Sequence, residues 1–229
     1  LLQQQCDCNW AIAQEGLSQP YGAGVGRTLC QSGNASDWRI SCCAAAAAGS
    51  DARMNGCALP VVINSGSGNQ GICATNPVVV FAQENENTEE ELIRALTLSH
   101  LTAIYIKQSL GRLSALCGCV VASTGSACGI TYLMGGKYEH VAYSVKNMIA
   151  NLAGMVCDGA KPSCALKVTS GVSTAVLSAM LAIQNTHVTS VEGLVEDDVD
   201  RTIHNMTRIG AEGMNETDRM VLDIMTHKK

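Results

Sequence analysis

The chain reads as a series of helical segments built from small apolar residues and separated by glycine-marked breaks. Residues 1–17 carry a helical pattern closed by Gly16 and the Pro20-Tyr21-Gly22 turn. A second predicted helix, 36–49, opens at Ser36-Asp37 and runs through an alanine tract to Gly49. Cys73 to Gln83 is apolar and partly β-branched, so periodicity leaves strand or buried helix open. Gln83 to Asn87 reads as a polar loop. Thr88-x-x-Glu91 is a capping box, which predicts a long helix over 89–110 ended by Gly111. Ser114 to Met134 is apolar, with Gly and Cys at short intervals, and Gly135-Gly136 breaks it. Further helices are predicted over Tyr138–Ala153 and Ser170–Gln184, joined by Gly154 to Lys167. Two amphipathic, charged helices follow over Glu196–Thr226, split near Gly213-Met214-Asn215. With no fixed-period repeat and no low-complexity linker, the expected architecture is mainly α: one compact domain over 1–229 with buried small-residue helices and a glycine-rich loop.

Composition sharpens this. Aromatic residues are only 3%, so Ala, Gly, Val, Leu and Met must fill the core, which suits closely packed helices. Charged residues are 15%, below the usual ~25%, so much of the surface is expected to be covered or concave. A net charge of −5 argues against a nucleic-acid partner, which needs a basic face. Ser, Thr, Gly or a charge interrupts every apolar run short of the ~18–20 residues of a membrane helix, so no membrane span is expected. The first residue is Leu, and 1–17 reads as the middle of a helical pattern. The expectation is a fragment of a longer protein, lacking N-terminal material.

Twelve cysteines are a heavy load. A secreted disulfide scaffold would be short and led by a signal peptide, with its cysteines in polar loops; here several lie in apolar runs. Adjacent Cys42-Cys43 and the tight Cys117-Gly-Cys119 pair are awkward to bridge. Reduced, cytoplasmic thiols with a metal among them fit better.

Three groups of residues carry candidate chemistry. Ser65-Gly66-Ser67-Gly68-Asn69-Gln70-Gly71 alternates small residues with amide and hydroxyl side chains, so its backbone N–H groups can converge on a small carboxylate. Asn69 and Gln70 are then available to an amino group. No Gly-Lys-Ser/Thr ends the segment and no dinucleotide fingerprint is present; a plain structural turn is the competing role. Among the second-half cysteines, Cys157 and Cys164 flank a charged, glycine-containing turn that reads as a ligand loop, whereas Cys6, Cys8, Cys30, Cys42, Cys43 and Cys73 read as small buried hydrophobes. His100 and Lys161 are the candidate bases. The plainer role of His100 is a satisfied helical histidine, and that of Lys161 is an ion pair with Asp158.

Met54-Asn55-Gly56 through Pro60, Asn64 to Ile72, Cys117-Gly-Cys119 through Cys128-Gly129, and Val156-Cys157-Asp158-Gly159-Ala160-Lys161-x-x-Cys164-Ala165-Leu166-Lys167 together resemble the L-cysteine desulfidase family. That family is tied to the α-domain of iron–sulfur L-serine dehydratases, and the resemblance runs from about residue 10 to the end. Gly159 stands where the dehydratase form has proline, which favours the desulfidase form. The resemblance implies a 4Fe-4S cluster on three cysteines with one iron open to substrate. Cys157 is the first implied ligand, Cys117 or Cys119 the second; Cys164 is similar to a third, and the missing N-terminal region is expected to complete the site. The implied reaction is β-elimination from L-cysteine to pyruvate, ammonia and hydrogen sulfide, without pyridoxal phosphate. L-Serine dehydration is the alternative, and a non-catalytic iron–sulfur regulatory protein is a reading of another class. A homo-oligomer is left open.

Overall fold

The structure, a computed structural model, describes residues 2–32, 37–111 and 114–228. These form ten α-helices and no strands. They are α1 Leu2–Ser18, α2 Val25–Ser32, α3 Trp38–Met54, α4 Gly68–Glu84, α5 Glu89–Leu110, α6 Gly118–Leu133, α7 Tyr138–Leu152, α8 Cys164–Ile183, α9 Val199–Arg208 and α10 Asn215–Thr226. A π-helical turn, Ile209–Gly213, joins the last two.

Helix α6 is the axle. Every residue from Cys119 to Thr131 is buried, and α4, α5, α7 and α8 pack around it. Glycines set the spacing: a Cβ on Gly125 would stand 2.3 Å from the Ser99 carbonyl oxygen of α5. Helix α3 forms a second centre against α1, α2, α4 and α8, and its alanine tract is buried throughout. Small side chains thus replace aromatic rings as the means of filling space.

The Thr88–Glu91 capping box and the Gly111 end of α5 lie where the sequence puts them. Gly16 and Gly49 do not end their helices. A Cβ on Gly16 would meet the Ala48 carbonyl oxygen at 2.1 Å, and Gly49 faces the Ile72 side chain, so both are close-approach glycines inside α1 and α3. Asp37 caps α3 by accepting from the Arg39 amide; Ser36, expected to share that role, lies outside the described residues. The ambiguous run 73–83 belongs to helix α4, which tolerates Pro77. Helix α2 was not foreseen, and α8 starts at Cys164 rather than Ser170. By length and composition alone α8 passes for a membrane span, with mean hydropathy 1.5, contrary to the expectation that no run would; it packs against α3, α6 and α7.

Candidate active site

The glycine-rich segment is two structures in succession. Asn64 and Ser67 exchange backbone hydrogen bonds of 3.1 and 3.0 Å, closing a tight turn. Its central residues Ser65 (φ 48°) and Gly66 (φ 83°) both sit at positive φ, the pattern of a primed turn. At Gly68 the chain becomes the first turn of α4, with Ser67 as the N-cap accepting from the Gln70 amide at 3.4 Å. The expected loop is therefore a turn aimed into a helix N-terminus, where unpaired N–H groups and the helix dipole favour an anion.

Two more helices begin at the same place. A pair of backbone bonds, Cys117 N–H to Met155 O at 2.9 Å and Cys157 N–H to Ala115 O at 2.6 Å, ties the segment before α6 to the segment after α7. That bridge sets Cys117, the N-cap of α6, beside Cys157. Cys164 opens α8. The first turns of α4, α6 and α8 thus line one cavity of about 430 Å³, along with Cys157 and three cations, Arg53, Lys107 and Lys167.

The electrostatics follow from this layout. The adjacent Cys117 thiol, with the Gly159 amide and the Lys167 charge, brings the Cys157 pKa down to about 6, despite half-burial. The Cys157 thiol beside it and burial push the Cys117 thiol up. Lys161 and Lys167 both pair with the Asp158 carboxylate, holding it at about 2, and Lys167 also donates to Val156 O at 2.8 Å. Burial lowers the pKa of Lys107, which forms no ion pair among the described residues. Gln70 is only 7% exposed, and its Oε1 has no hydrogen-bond partner among the described residues.

Of the residues singled out in the sequence, Ser65, Gly66, Ser67, Asn69 and Gln70 line the cavity with Cys117, Cys119, Cys157 and Cys164. Gly68 and Gly71 face protein instead: a Cβ on Gly71 would meet Val62 O at 2.0 Å. Lys161 is turned to Asp158. His100 lies beneath the site, fully engaged with Gln5, Asn64 and Thr75, and burial lowers its pKa to about 4. Arg53, Lys107 and Lys167 join the singled-out residues on the cavity, although the sequence assigned none of the three a role there. Arg53 had a usable signal, being the sole charged residue between Asp51 and Glu84.

Among the described residues, no three His, Cys, Asp or Glu side chains are gathered tightly enough to hold a single metal ion. The donors that do line the cavity are thiols, the natural ligands of iron–sulfur clusters, which are wider than one ion. Cys117, Cys157 and Cys164 fit such a group. Cys119 fits less well: its sulfur donates to Lys167 O at 3.1 Å, whereas the Cys164 sulfur reaches Gly159 O only at 3.6 Å.

The profile of the serine dehydratase alpha chain family matches residues 1–223. A UPF0597 protein of Bacteroides thetaiotaomicron is 76% identical over 178 residues, covering 78% of this chain and 42% of its own. Those of Oleidesulfovibrio alaskensis and Lachnoclostridium phytofermentans are 53% and 46% identical, covering 96% and 98% of this chain and 53% and 54% of theirs. The chain spans about half the length of these relatives. No solved structure matches it.

Proposed function

The chain belongs to the serine dehydratase alpha chain family, and we propose that its cavity is the substrate site of an iron–sulfur lyase that eliminates the β-substituent of a small L-amino acid, with L-cysteine preferred to L-serine. The observation that carries this reading is the convergence of the Ser65–Gln70 segment with the Cys117, Cys157 and Cys164 thiols on one cavity, from positions about fifty to a hundred residues apart in sequence. A regulatory cluster protein has no need of a carboxylate cradle beside its thiols.

Cys117, Cys157 and Cys164 would hold the 4Fe-4S cluster. When bound, it supplies a Lewis acid that draws electron density from the leaving thiol or hydroxyl. The rest falls to this chain's own groups. The first turn of α4, with Ser67 and Asn69, receives the substrate carboxylate. The unpartnered Oε1 of Gln70 accepts from its ammonium group. Lys107 Nζ, on the cavity and free of a carboxylate partner among the described residues, takes the α-proton. Loss of the β-substituent leaves aminoacrylate, which takes up water to give pyruvate and ammonia. Twelve cysteines, several of them inside apolar helices, accord with a reducing, cytoplasmic setting. Residues beyond this chain, in a protein of the relatives' length, would complete the enclosure.

Anaerobic reconstitution with iron and sulfide tests the site. The protein is expected to gain a visible absorbance that bleaches in air, and Cys157→Ala and Cys117→Ala to lose it, while Cys119→Ala keeps it. Full iron content in Cys157→Ala would refute the ligand assignment.

A further inference from the structure

Resting on that reading, we infer that Arg53 is the charged group that recognises the substrate's α-carboxylate, and that Gly68 is glycine in order to let it do so. Arg53 stands in the last turn of α3, outside the glycine segment, yet its side chain lies over the start of α4. A Cβ on Gly68 would fall 2.1 Å from Arg53 Nε and 2.8 Å from Cδ and Cζ. The guanidinium therefore rests against the first turn of the helix whose N-terminus faces the cavity, and Arg53 itself lines that cavity.

Its existing bonds are weak or neutral. Nη1 donates to Asn69 Oδ1 at 3.2 Å and contacts Met54 Sδ at 3.1 Å. No carboxylate pairs with it among the described residues, and Asp158, the acid nearest in role, is taken by Lys161 and Lys167. Among the described residues Arg53 thus leaves Nε and Nη2 without a hydrogen-bond partner, a planar fork whose geometry matches a carboxylate. Asn69 steadies the fork from the side. The buried, unpartnered Gln70 Oε1 lies one residue further along the same turn, so carboxylate and ammonium of one α-amino acid have adjacent receivers. The substrate class that follows is the free α-amino acid; a residue within a peptide lacks the carboxylate.

Calorimetric titration of the full chain with L-serine and with L-serinamide, which lacks the carboxylate charge, tests this. The expected result is tighter binding of L-serine by the native protein. Arg53→Gln should weaken L-serine about ten- to a hundredfold, the cost of a lost charge-assisted hydrogen bond, and leave L-serinamide nearly unchanged. Gly68→Ala keeps every charge and displaces only a flexible side chain, so it should reproduce the loss without lowering the melting temperature. Arg94→Gln, on the exposed face of α5, controls for net charge and should bind as the native protein does. A carboxylate preference that survives Arg53→Gln, or a native protein with no preference, overturns the inference. An Arg53-dependent preference in a protein that never forms pyruvate would uphold it and overturn the lyase reading.

Discussion

His100 Nδ1 accepts a hydrogen bond from the Asn64 side-chain amide at 2.9 Å, tying the middle of α5 to the turn that opens the cavity. Gln5 approaches the same nitrogen at 3.2 Å, so two amide donors face it and it must be unprotonated. Nε2–H then donates to Thr75 Oγ1 at 3.1 Å, and Thr75 donates to Gly71 O at 2.7 Å. The histidine is a brace beneath the site.

That brace predicts a pH dependence of stability. The unfolded chain protonates His100 near its ordinary 6.5, the folded chain only near 4, because burial penalises the charged form. Between those values the unfolded state binds more protons, so stability is full above about pH 6.5 and lost as pH falls towards 4. The difference is about 3 kcal/mol at roughly 1.4 kcal/mol per pH unit. Denaturant midpoints measured from pH 7 to 4.5 should fall more steeply for the native protein than for His100→Gln, and equal slopes would show that His100 is not held neutral.

Lys107 carries the proton step in this account. Lys107→Met should lower kcat by about a hundred- to ten-thousandfold, the usual range for a lost general base, with substrate binding little changed. Exchange of the substrate α-hydrogen with deuterated solvent, followed by NMR, should stop as well. Exchange at the native rate in the variant would move the base elsewhere.

Asn69 lines the cavity and accepts from Arg53. Removing one hydrogen bond to a charged group costs about 1.5–3 kcal/mol. Asn69→Ala should reduce kcat/KM about ten- to a hundredfold while iron content stays native. Native kinetics in this variant would leave the Ser65–Gly71 segment as structure alone.

Gly71 tests how the segment is pinned. Its Cβ position lies 2.0 Å from Val62 O, and Val62 cannot yield freely, because Asn9 bonds both its N–H (2.9 Å) and its carbonyl (3.1 Å). Helix propensity would favour alanine here by about 1 kcal/mol, yet overpacking should win and Gly71→Ala should lose roughly 1–3 kcal/mol in denaturant unfolding. A stabilised variant would contradict the packing.

Legibility in the sequence depended on whether a signal was local. The Thr88–Glu91 box and the Gly111 stop act within one helix, so α5 was readable to the residue. Gly16 and Gly49 look like helix ends in sequence, but their role is set by Ala48 and Ile72 on other turns and helices. The Ser65–Gln70 segment and Cys117, Cys119, Cys157 and Cys164 stand out in the sequence by distinctive residue types, the family resemblance joins them, and all of them except Gly68 line the cavity. Lys107 was not legible, since a basic residue in the last turn of a helix ordinarily does no more than complement its dipole, and Arg53, in the same kind of position, is marked only by being the sole charge between Asp51 and Glu84. The nearness of Cys117 to Cys157 was not legible either, because the backbone bridge between 115–117 and 155–157 makes it.

The central claim is elimination at the thiol-lined cavity, and the most direct measurement is pyruvate released by anaerobically reconstituted protein from L-cysteine and from L-serine. The account predicts pyruvate from both, faster from L-cysteine with stoichiometric sulfide, and none from Cys157→Ala. A native protein loaded with iron and sulfide that releases no pyruvate from either amino acid would contradict it.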